Sequence, residues 1–385
     1  MLSVGKNRIM KLLNLFDNIG NRIYDKCCSH IYNKLDKCTT RHIVVIESDD
    51  WGSIRVPSKK VWNALMSEGY AMDTRPYERY DCLESDEDVE ALTEVLLKYK
   101  DFMGNHPIFT LNYLSANPDF KQIKKDSYKK YSFVTIEDTY QESISSSNVL
   151  NLIRNGINEG IFKPQCHGRE HFNVLEWLAA LQHGDKDVLI AFQYGMCGIF
   201  PKSNPIRGNK YMVALKSVDK KSQQYVCDIV AQSLEMFNNV WGYRSRTFIA
   251  PCYTWNDKIE KVLRDNGVEL LQSGRIKRSS DGSSKTYVYA GKKKNGIIYG
   301  VRNCSFEPAT NQNYSTKTLM NEIDHAFRKN HIAVISSHRI NYVGGIDSKN
   351  RIKNLRLLDE FLSTLLMKYQ DVEFMSSDKL VEVLK

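Results

Sequence analysis

Strand-like and helix-like segments alternate along almost the whole chain, and this alternation limits the fold more than any other feature of the sequence. Short apolar runs have the length and composition of buried strands: HIVVIES, PIFTLNYL, RTFIAP, IIYGV, IAVISSH and VEFMSS. Amphipathic helix patterns lie between them: PSKKVWNALMSEG, DEDVEALTEVLLKYKD, NVLEWLAALQHG, KKSQQYVCDIVAQSLEMFNNVWG, WNDKIEKVLRDNG, KTLMNEIDHAFRKN and LRLLDEFLSTLLMKYQD. This order predicts an α/β fold with a parallel sheet wrapped by helices, either open or closed into a barrel. In such folds, functional side chains collect where the strands end.

The length of the chain allows one large domain with elaborations or two smaller domains. It has 385 residues, of which 42% are hydrophobic, and this is enough for a sizeable core. No internal repeat and no convincing linker occurs in the sequence. We therefore expect one domain over residues 41–385, preceded by an N-terminal extension over residues 1–40.

Charge and cysteine content exclude several classes of protein. The net charge of +9 is spread over a surface of mixed sign, without the basic stripe and interleaved aromatic residues of a nucleic-acid-binding protein. The nine cysteines include no CxxC pair, which is typical of reduced thiols in a cytoplasm. No run approaches the roughly 18 to 20 apolar residues that span a bilayer. The sequence thus predicts a cytoplasmic protein that binds no nucleic acid.

The N-terminal extension, residues 1–40, has the pattern of an amphipathic helix. Its apolar residues recur at helical spacing: Ile9, Leu12, Leu13, Phe16, Ile19 and Ile23. Basic residues lie between them: Lys6, Arg8, Lys11 and Arg22. One interpretation is a helix lying on the anionic inner membrane, close to a lipid-linked substrate. The other, which we favour, is a helix packed on its own domain.

Two adjacent carboxylates, Asp49 and Asp50, follow the first apolar run directly, in IESDDWGS. Neighbouring side chains on an extended backbone point in opposite directions, so the two are not expected to act alike. One carboxylate could hold a metal ion while the other meets the water on it. The alternative is a turn or a helix cap, where Asp is common.

Two histidines four residues apart, His167 and His171, occur in PQCHGREHFN. This spacing places two imidazoles on one helical face or turn, where they could chelate a divalent ion. The HExxH motif is absent, because Glu170 precedes the second histidine instead of following the first. A pair of exposed structural histidines is the alternative.

Two further strand ends carry candidate residues. His338 ends the run AVISSH, and an imidazole there could act as a general acid or base or be an ordinary loop residue. In SRTFIAPCYTWN, Pro251 fixes the turn after a strand. Tyr253 and Trp255 follow it, and they could form an apolar wall for a sugar ring or belong to the core.

In combination, the segments IESDDWGS, HGREH, FIAPCY and VISSH resemble the polysaccharide deacetylase family, also called the NodB-homology or carbohydrate esterase family 4 type. The resemblance covers roughly residues 41–380, with the motifs in the family's order. It is closest to a divergent bacterial branch found among surface-glycan biosynthesis proteins. The resemblance implies a deformed (β/α) barrel of fewer than eight units. It also implies a divalent metal ion and the removal of acetyl groups from N-acetylated sugars or, in some members, from O-acetyl esters.

The resemblance also assigns roles to the singled-out residues. Asp49 would be the general base, and Asp50, His167 and His171 would bind the metal ion. His338 would be the general acid that protonates the leaving amine. The metal would be zinc, with iron, cobalt, nickel or manganese as alternatives, and the partner would be an N-acetylated sugar or glycan.

The turn after the third motif would supply further contacts to the substrate. A backbone N–H near Cys252 or Tyr253 would hold the oxyanion. Pro251, Trp255 and Arg339 are the other expected substrate contacts.

The sequence departs from the family pattern in four respects. Gly168 replaces the Ser or Thr of the second motif, and the first two motifs are separated by an insertion, about residues 57–160, that is longer than the family norm. The fourth motif, which braces the histidine acid, is absent, and Glu307 is the candidate substitute. The Arg that braces the catalytic Asp in the third motif is also absent. Other cations could replace it: Arg246, Arg275 and Arg339.

These departures keep two other functions open. A glycan O-acetyl esterase would use the same metal site on a different bond. A non-catalytic glycan-binding protein would keep the fold without the reaction.

Overall fold

The computed structural model describes Cys28, residues 31–200 and residues 211–385. The predicted alternation is confirmed, because every strand-like run contains a strand and every helix pattern contains a helix. The amphipathic helix expected over residues 9–23 lies outside the described residues, and so the boundary at residue 40 stays a prediction. None of the described helices has the length and apolar character needed to cross a bilayer.

The strands of the described residues follow in chain order: β1 (Ile43–Trp51), β2 (Phe109–Leu114), β3 (Ala116–Pro118), β4 (Phe133–Thr135), β5 (Phe162–Gly168), β6 (Thr247–Ile249), β7 (Leu270–Ser273), β8 (Ile276–Arg278), β9 (Lys285–Tyr287), β10 (Lys293–Lys294), β11 (Ile297–Val301), β12 (Cys304–Ser305), β13 (Ala333–His338) and β14 (Glu373–Phe374).

The α-helices from residue 59 onward are α1 (Lys59–Ser67), α2 (Pro76–Tyr80), α3 (Asp86–Leu97), α4 (Phe120–Lys125), α5 (Ile136–Glu142), α6 (Val149–Asn158), α7 (Val174–Gln182), α8 (Lys186–Gln193), α9 (Lys220–Trp241), α10 (Asp257–Asp265), α11 (Thr316–Arg328), α12 (Ser348–Lys368) and α13 (Leu380–Leu384).

One curled sheet of ten strands forms the centre of the molecule. Its strand order is β10-β11-β7-β6-β5-β2-β1-β13-β12, with β14 paired to the start of β1. All pairings are parallel except that of β10 with β11. Because the edge strands β10 and β12 are not paired with each other within the described residues, the sheet is a half-barrel and not a closed barrel. The expected deformed (β/α) barrel is confirmed.

The chain crosses the open side of the half-barrel at Arg302 and Asn303, between β11 and β12. The N–H of Arg302 donates to the carbonyl of Ser273 at 2.8 Å, and the N–H of Asn303 donates to the carbonyl of Val334 at 3.1 Å. These bonds attach the crossing to β7 on one side and to β13 on the other. The Arg302 side chain is thereby placed where the interior of the half-barrel opens.

The alternation of side chains along β1 explains why a buried strand ends in carboxylates. All nine residues of this strand are buried. Val44 and Ile46 pack in the core between the sheet and the helices, whereas Ile43 and Val45 pack against α13. Because side chains alternate with a period of two, Glu47 and Asp49 continue the face of Ile43 and Val45. The inward face of β1 is therefore apolar at its start and acidic at its carboxyl end.

The long segment 57–160 is only partly an insertion. It contains β2, which lies in the main sheet between β1 and β5, and α3, which packs on α6 and α12. The elements outside the main sheet are α1, α2, the antiparallel pair β3–β4, and the helices that flank that pair. The sequence comparison thus overestimated the insertion, because β2 belongs to the half-barrel.

Candidate active site

Asp50, His167 and His171 lie together at the carboxyl edge of the sheet. Asp50 Oδ1 is 3.5 Å from His167 Nε2 and 3.6 Å from His171 Nε2. One potential ligand atom from each residue lies within 4.8 Å of the others, so the three could hold a metal ion. The structure therefore brings together the three residues that the sequence assigned to one cation.

The backbone at the end of β1 gives Asp50 its direction. The β1–β2 register shifts between Ser48 and Trp51, which marks a bulge. Within it Asp50 has a φ of 74°, and Gly52 follows with a φ of 83°. The expectation that Asp49 and Asp50 sit on an extended backbone is therefore wrong. The left-handed conformation of Asp50 lets both carboxylates face the same edge of the sheet.

The two histidines of this group carry ring nitrogens suited to a cation. His167 ends β5, and its Nδ1 is 2.8 Å from the carbonyl oxygen of Ile249, so Nδ1 carries the proton and Nε2 keeps a lone pair. That Nε2 is buried and has no hydrogen-bond partner in the described part of the chain. His171 lies in the turn after β5, and burial lowers its pKa to about 4. The His171 ring is thus neutral at neutral pH, and His167 offers the lone pair of its Nε2 to a cation.

Charge supports the same conclusion for Asp50. Burial alone would raise the pKa of this carboxyl, but the surrounding histidines, among them the protonated His338, hold the pKa well below its usual range. One carboxylate and two imidazoles are a ligand set of catalytic zinc sites, which leave a further coordination position free. The donor set and the unpartnered Nε2 of His167 therefore fit a divalent cation.

Asp49 differs from Asp50 because protein groups hold both of its oxygens. Arg302 donates from Nη2 to Oδ1 and from Nη1 to Oδ2, each at 2.7 Å, and Asn112 donates to Oδ1 at 2.7 Å. Burial opposes ionisation, but the guanidinium outweighs it and brings the pKa of Asp49 to about 2. Arg302 Nε also donates to Glu47 at 2.6 Å. One arginine thus fixes both acidic residues of the inward face of β1.

Sequence reasoning missed Arg302. The candidates for this brace were Arg246, Arg275 and Arg339, and none of them contacts Asp49. They pair instead with Glu269 and Glu382, with Asp36, and with Asp81 and Glu84, respectively. A usable signal was present, because Arg302 directly follows the run IIYGV and so stands at a strand end.

His338 lies on the other side of Asp49. Its Nε2 is 3.7 Å from Asp49 Oδ2, and its Nδ1 is 2.6 Å from Glu307 Oε1. Asn341 in turn donates to the second oxygen of Glu307 at 2.9 Å. Burial would lower the pKa of His338, but Glu307 raises it to about 10. The imidazole is therefore protonated at neutral pH, and Glu307 lies where a brace for this histidine was expected.

Tyr77, in α2, forms a side wall of the site. Its ring meets His338 edge-on, with the centroids 5.9 Å apart, and the guanidinium of Arg55 lies 5.3 Å from the ring centroid. Arg55 is fixed by Glu78 at 3.1 Å and lines a cavity of about 40 Å³ together with Asp50 and His171. Segment 53–81 thus supplies a cation and an aromatic ring that no motif indicated.

Two residues that we expected to contact the substrate are fully buried. Trp255 has no exposed surface, and its indole N–H donates to Glu260 at 2.8 Å. Arg339 is equally buried in its ion pairs. Both predictions of substrate contact are therefore wrong, because these side chains satisfy interior carboxylates.

The turn after β6 lies beside the site. Pro251 is buried, while Cys252 and Tyr253 adopt left-handed backbone conformations with φ of 54° and 52°. The N–H of Tyr253 donates to the carbonyl of Ala250 at 2.9 Å, and its hydroxyl is 3.5 Å from Arg302 Nη1. Of the two backbone N–H groups considered for an oxyanion, that of Tyr253 is thus already engaged.

Comparison with known proteins identifies the fold. No protein-family profile and no curated protein matches the sequence. Among solved structures, a candidate glycoside hydrolase/deacetylase from Parabacteroides distasonis superposes with a TM-score of 0.51 at 7% identity, over 90% of this chain and 72% of that one. This similarity supports a half-barrel of the polysaccharide deacetylase type. At 7% identity it is evidence about the fold only.

Two other solved structures superpose with lower scores. A candidate polysaccharide deacetylase from Mycobacterium smegmatis has a TM-score of 0.41 at 12% identity, with 91% of each chain covered. A 4-alpha-glucanotransferase from Thermococcus litoralis has a TM-score of 0.44 at 10% identity, with 89% of this chain covered. The chain spans only 40% of the length of that glucanotransferase.

Proposed function

We propose that this chain is a metal-dependent hydrolase that removes an acetyl group from an N-acetylated sugar in a bacterial surface glycan or its precursor. One observation carries the proposal: an ionised Asp49 and a protonated His338 lie 3.7 Å apart, next to a cluster that fits a cation. A base and an acid next to a Lewis acid suit amide hydrolysis.

In this proposal Asp50, His167 and His171 hold the metal ion. Zinc suits one carboxylate and two imidazoles, and iron, cobalt, nickel or manganese could take the same donors. When bound, the ion supplies a Lewis acid that lowers the pKa of a water molecule and polarises the acetyl carbonyl.

Asp49 is the proposed general base. It remains ionised at any pH above about 2. Its Oδ1 accepts from both Arg302 and Asn112, whereas its Oδ2 accepts only from Arg302 and keeps a free lone pair. These bonds fix the direction of the carboxylate towards His338 and the cluster. Its task is to accept the proton of the attacking water.

His338 is the proposed general acid. Because Glu307 holds Nδ1, the proton available for transfer is the one on Nε2, which faces Asp49. An amine is a poor leaving group unless its nitrogen is protonated as the C–N bond breaks. A histidine that keeps its proton up to about pH 10 supplies that proton at neutral pH.

The experiment compares the wild type with the Asp49→Asn variant. We expect zinc-loaded wild type to release acetate from an N-acetylated glycan. Asp49→Asn should keep its zinc and lose about 10²- to 10⁴-fold in kcat, which is the usual range for a general base. Wild-type turnover in Asp49→Asn would show that the assigned base is wrong.

The same assay separates the two alternatives. An O-acetyl esterase would release acetate from an O-acetylated glycan and not from the N-acetylated one. A glycan-binding protein would release none from either with its zinc site filled. The presence of Arg302 beside Asp49 and of Glu307 beside His338 supports catalysis over this last function.

Contact of residues 1–40 with the inner membrane and a cytoplasmic location remain predictions. Sedimentation of the full chain with anionic vesicles, compared with neutral ones, would test the first.

A further inference from the structure

Arg339 and Glu84 are charged side chains with no exposed surface, and the reaction proposed above uses neither of them. Arg339 directly follows the proposed acid His338, and Glu84 lies just before α3. Arg339 Nη1 donates to Glu84 Oε2 at 3.0 Å, and its Nη2 donates to Asp81 Oδ1 at 2.8 Å. Burial of charged groups costs free energy of desolvation, and a buried ion pair often contributes no more to stability than apolar residues of the same size. Stability alone therefore does not account for this pair.

Both side chains bind the backbone of the turn that follows Asp50. The N–H of Gly52 donates to Glu84 Oε1 at 2.9 Å. The carbonyl of Ser53 accepts from Arg339 Nη1 at 2.6 Å. Because Arg339 also donates to Glu84, one buried ion pair holds two consecutive residues of the turn.

Asn117, in β3, binds the same turn. Its Nδ2 donates to the carbonyl of Gly52 and its Oδ1 accepts from the N–H of Ile54, each at 2.8 Å. Within the turn, the hydroxyl of Ser53 donates to the carbonyl of Asp50 at 3.0 Å. The backbone that follows Asp50 is thus fixed by side chains from three distant parts of the sequence.

The conformation that these bonds hold is the one that gives Asp50 its direction. Its φ of 74° lies in the left-handed region, which is unfavourable for a residue with a side chain. Such a conformation persists only where the surrounding structure over-determines it. Relaxation of the turn would move Asp50 Oδ1 from its place 3.5 Å from His167 Nε2 and 3.6 Å from His171 Nε2.

We propose that Arg339 and Glu84 are positioning residues for the cation cluster and act through the backbone of the turn after Asp50. Because Arg339 directly follows His338, their ion pair also joins the strand end that carries the proposed acid to the turn that carries a proposed cation ligand. This inference rests on the proposed function for the identity of the cation ligands, but its effect can be measured without turnover.

The experiment measures the zinc dissociation constant of the full chain by competition with a chromogenic chelator. Arg339→Met removes the guanidinium and keeps much of the apolar volume of the side chain. We expect this variant to bind zinc at least about tenfold more weakly than the wild type, because residues that orient metal ligands typically have effects of this size when they are replaced.

Arg351→Met is the matched control. Arg351 is also buried, and it donates to Asp88 at 2.6 Å and to Glu87, so its ion pairs involve no residue of the turn after Asp50. Both variants should lower the midpoint of unfolding in urea, but Arg351→Met should keep the zinc affinity of the wild type. The comparison separates a positioning role from a general loss of stability.

Glu84→Gln is the second variant if Arg339→Met does not fold. It keeps the shape of the side chain and removes the charge that pairs with Arg339, so zinc binding should weaken in the same direction. Wild-type zinc affinity in each of these two variants that folds would overturn the inference. An equal loss of zinc affinity in Arg351→Met would overturn it as well.

Failure of the proposed function gives a different pattern of results. A wild type that binds neither zinc nor cobalt would overturn the proposed cation site, and this inference with it. Absence of acetate release from a wild type that binds zinc would refute the proposed reaction alone. The zinc affinities of the variants would then still decide whether Arg339 and Glu84 position the cluster.

Discussion

Two groups of side chains lie next to each other at the carboxyl edge of the sheet, and they differ in how far the protein itself satisfies them. Asp49 and His338 are held by opposite charges, from Arg302 and Glu307. Around Asp50, no lysine or arginine among the described residues makes an ion pair with the carboxylate, and its nearest partners are the two imidazoles. Other side chains of the protein balance the charges of Asp49 and His338. The group around Asp50, in contrast, has the composition of a site that binds an added cation.

The largest expected effect comes from breaking the second group. His167→Gln should abolish zinc binding, because it removes the unpartnered Nε2. Zinc at a hundredfold excess over its Kd should stabilise the wild type by about 2.7 kcal/mol, and the variant should gain nothing. Thermal unfolding with and without zinc, together with metal analysis, measures this difference.

Asp49→Asn is the control for that experiment, since it changes the neighbouring group. It should keep the stabilisation by zinc. An equal stabilisation of His167→Gln by zinc would mean that the cation binds elsewhere.

Breaking the first group should instead lower the stability of the protein itself, with no zinc present. Arg302→Met leaves Asp49 and Glu47 buried without their common cation, and loss of one partner of a buried pair costs about 3–5 kcal/mol. Arg246→Met is the matched control, because its ion pairs are partly exposed and such pairs contribute at most about 1 kcal/mol. The free energy of unfolding in urea measures both. Similar losses in the two variants would contradict the view that Arg302 holds a buried charge cluster.

The smallest effect is a shift in pH dependence within the first group. Since Glu307 raises the pKa of His338 to about 10, kcat/KM should fall as the pH rises through about 10. Glu307→Gln removes the negative charge, which lowers this pKa, so the alkaline limb should move to lower pH by at least about one unit.

Glu322→Gln is the control for the pH profile, because Glu322 accepts from the N–H of Ser305 and does not contact His338. Its alkaline limb should stay in place. An unchanged limb in Glu307→Gln would show that another group supplies the proton.

The same comparison shows what the sequence could predict. The three residues proposed to bind a cation could be singled out because each belongs to a short motif at a strand end. The residue that holds Asp49 was harder to predict. Arg302 and Asp49 are 253 positions apart, and only the folded sheet brings them together. Glu307 was a candidate only because it precedes His338 in a position that a motif usually fills.

The fold was predictable where strands are apolar on both faces and less so where one face is polar. β5, with the sequence FKPQCHG, was not among the strand-like runs, because its Gln165 faces the polar interior and bonds to the N–H of Thr247 at 2.8 Å. Trp255 and Arg339 were misplaced for a related reason. Whether a strand-end side chain turns inward depends on its partner. For Trp255 the partner is the nearby Glu260, and for Arg339 the partners are Asp81 and Glu84, which are distant in sequence.

The backbone conformation of Asp50 has a consequence for how this protein can evolve. A φ of 74° suits glycine best and costs other residues about 1–2 kcal/mol, less for Asp and Asn than for most. Asp50→Gly would relax the chain at that point while deleting a carboxylate from the cation cluster. A laboratory selection for heat resistance alone would therefore tend to remove this carboxylate from the cluster.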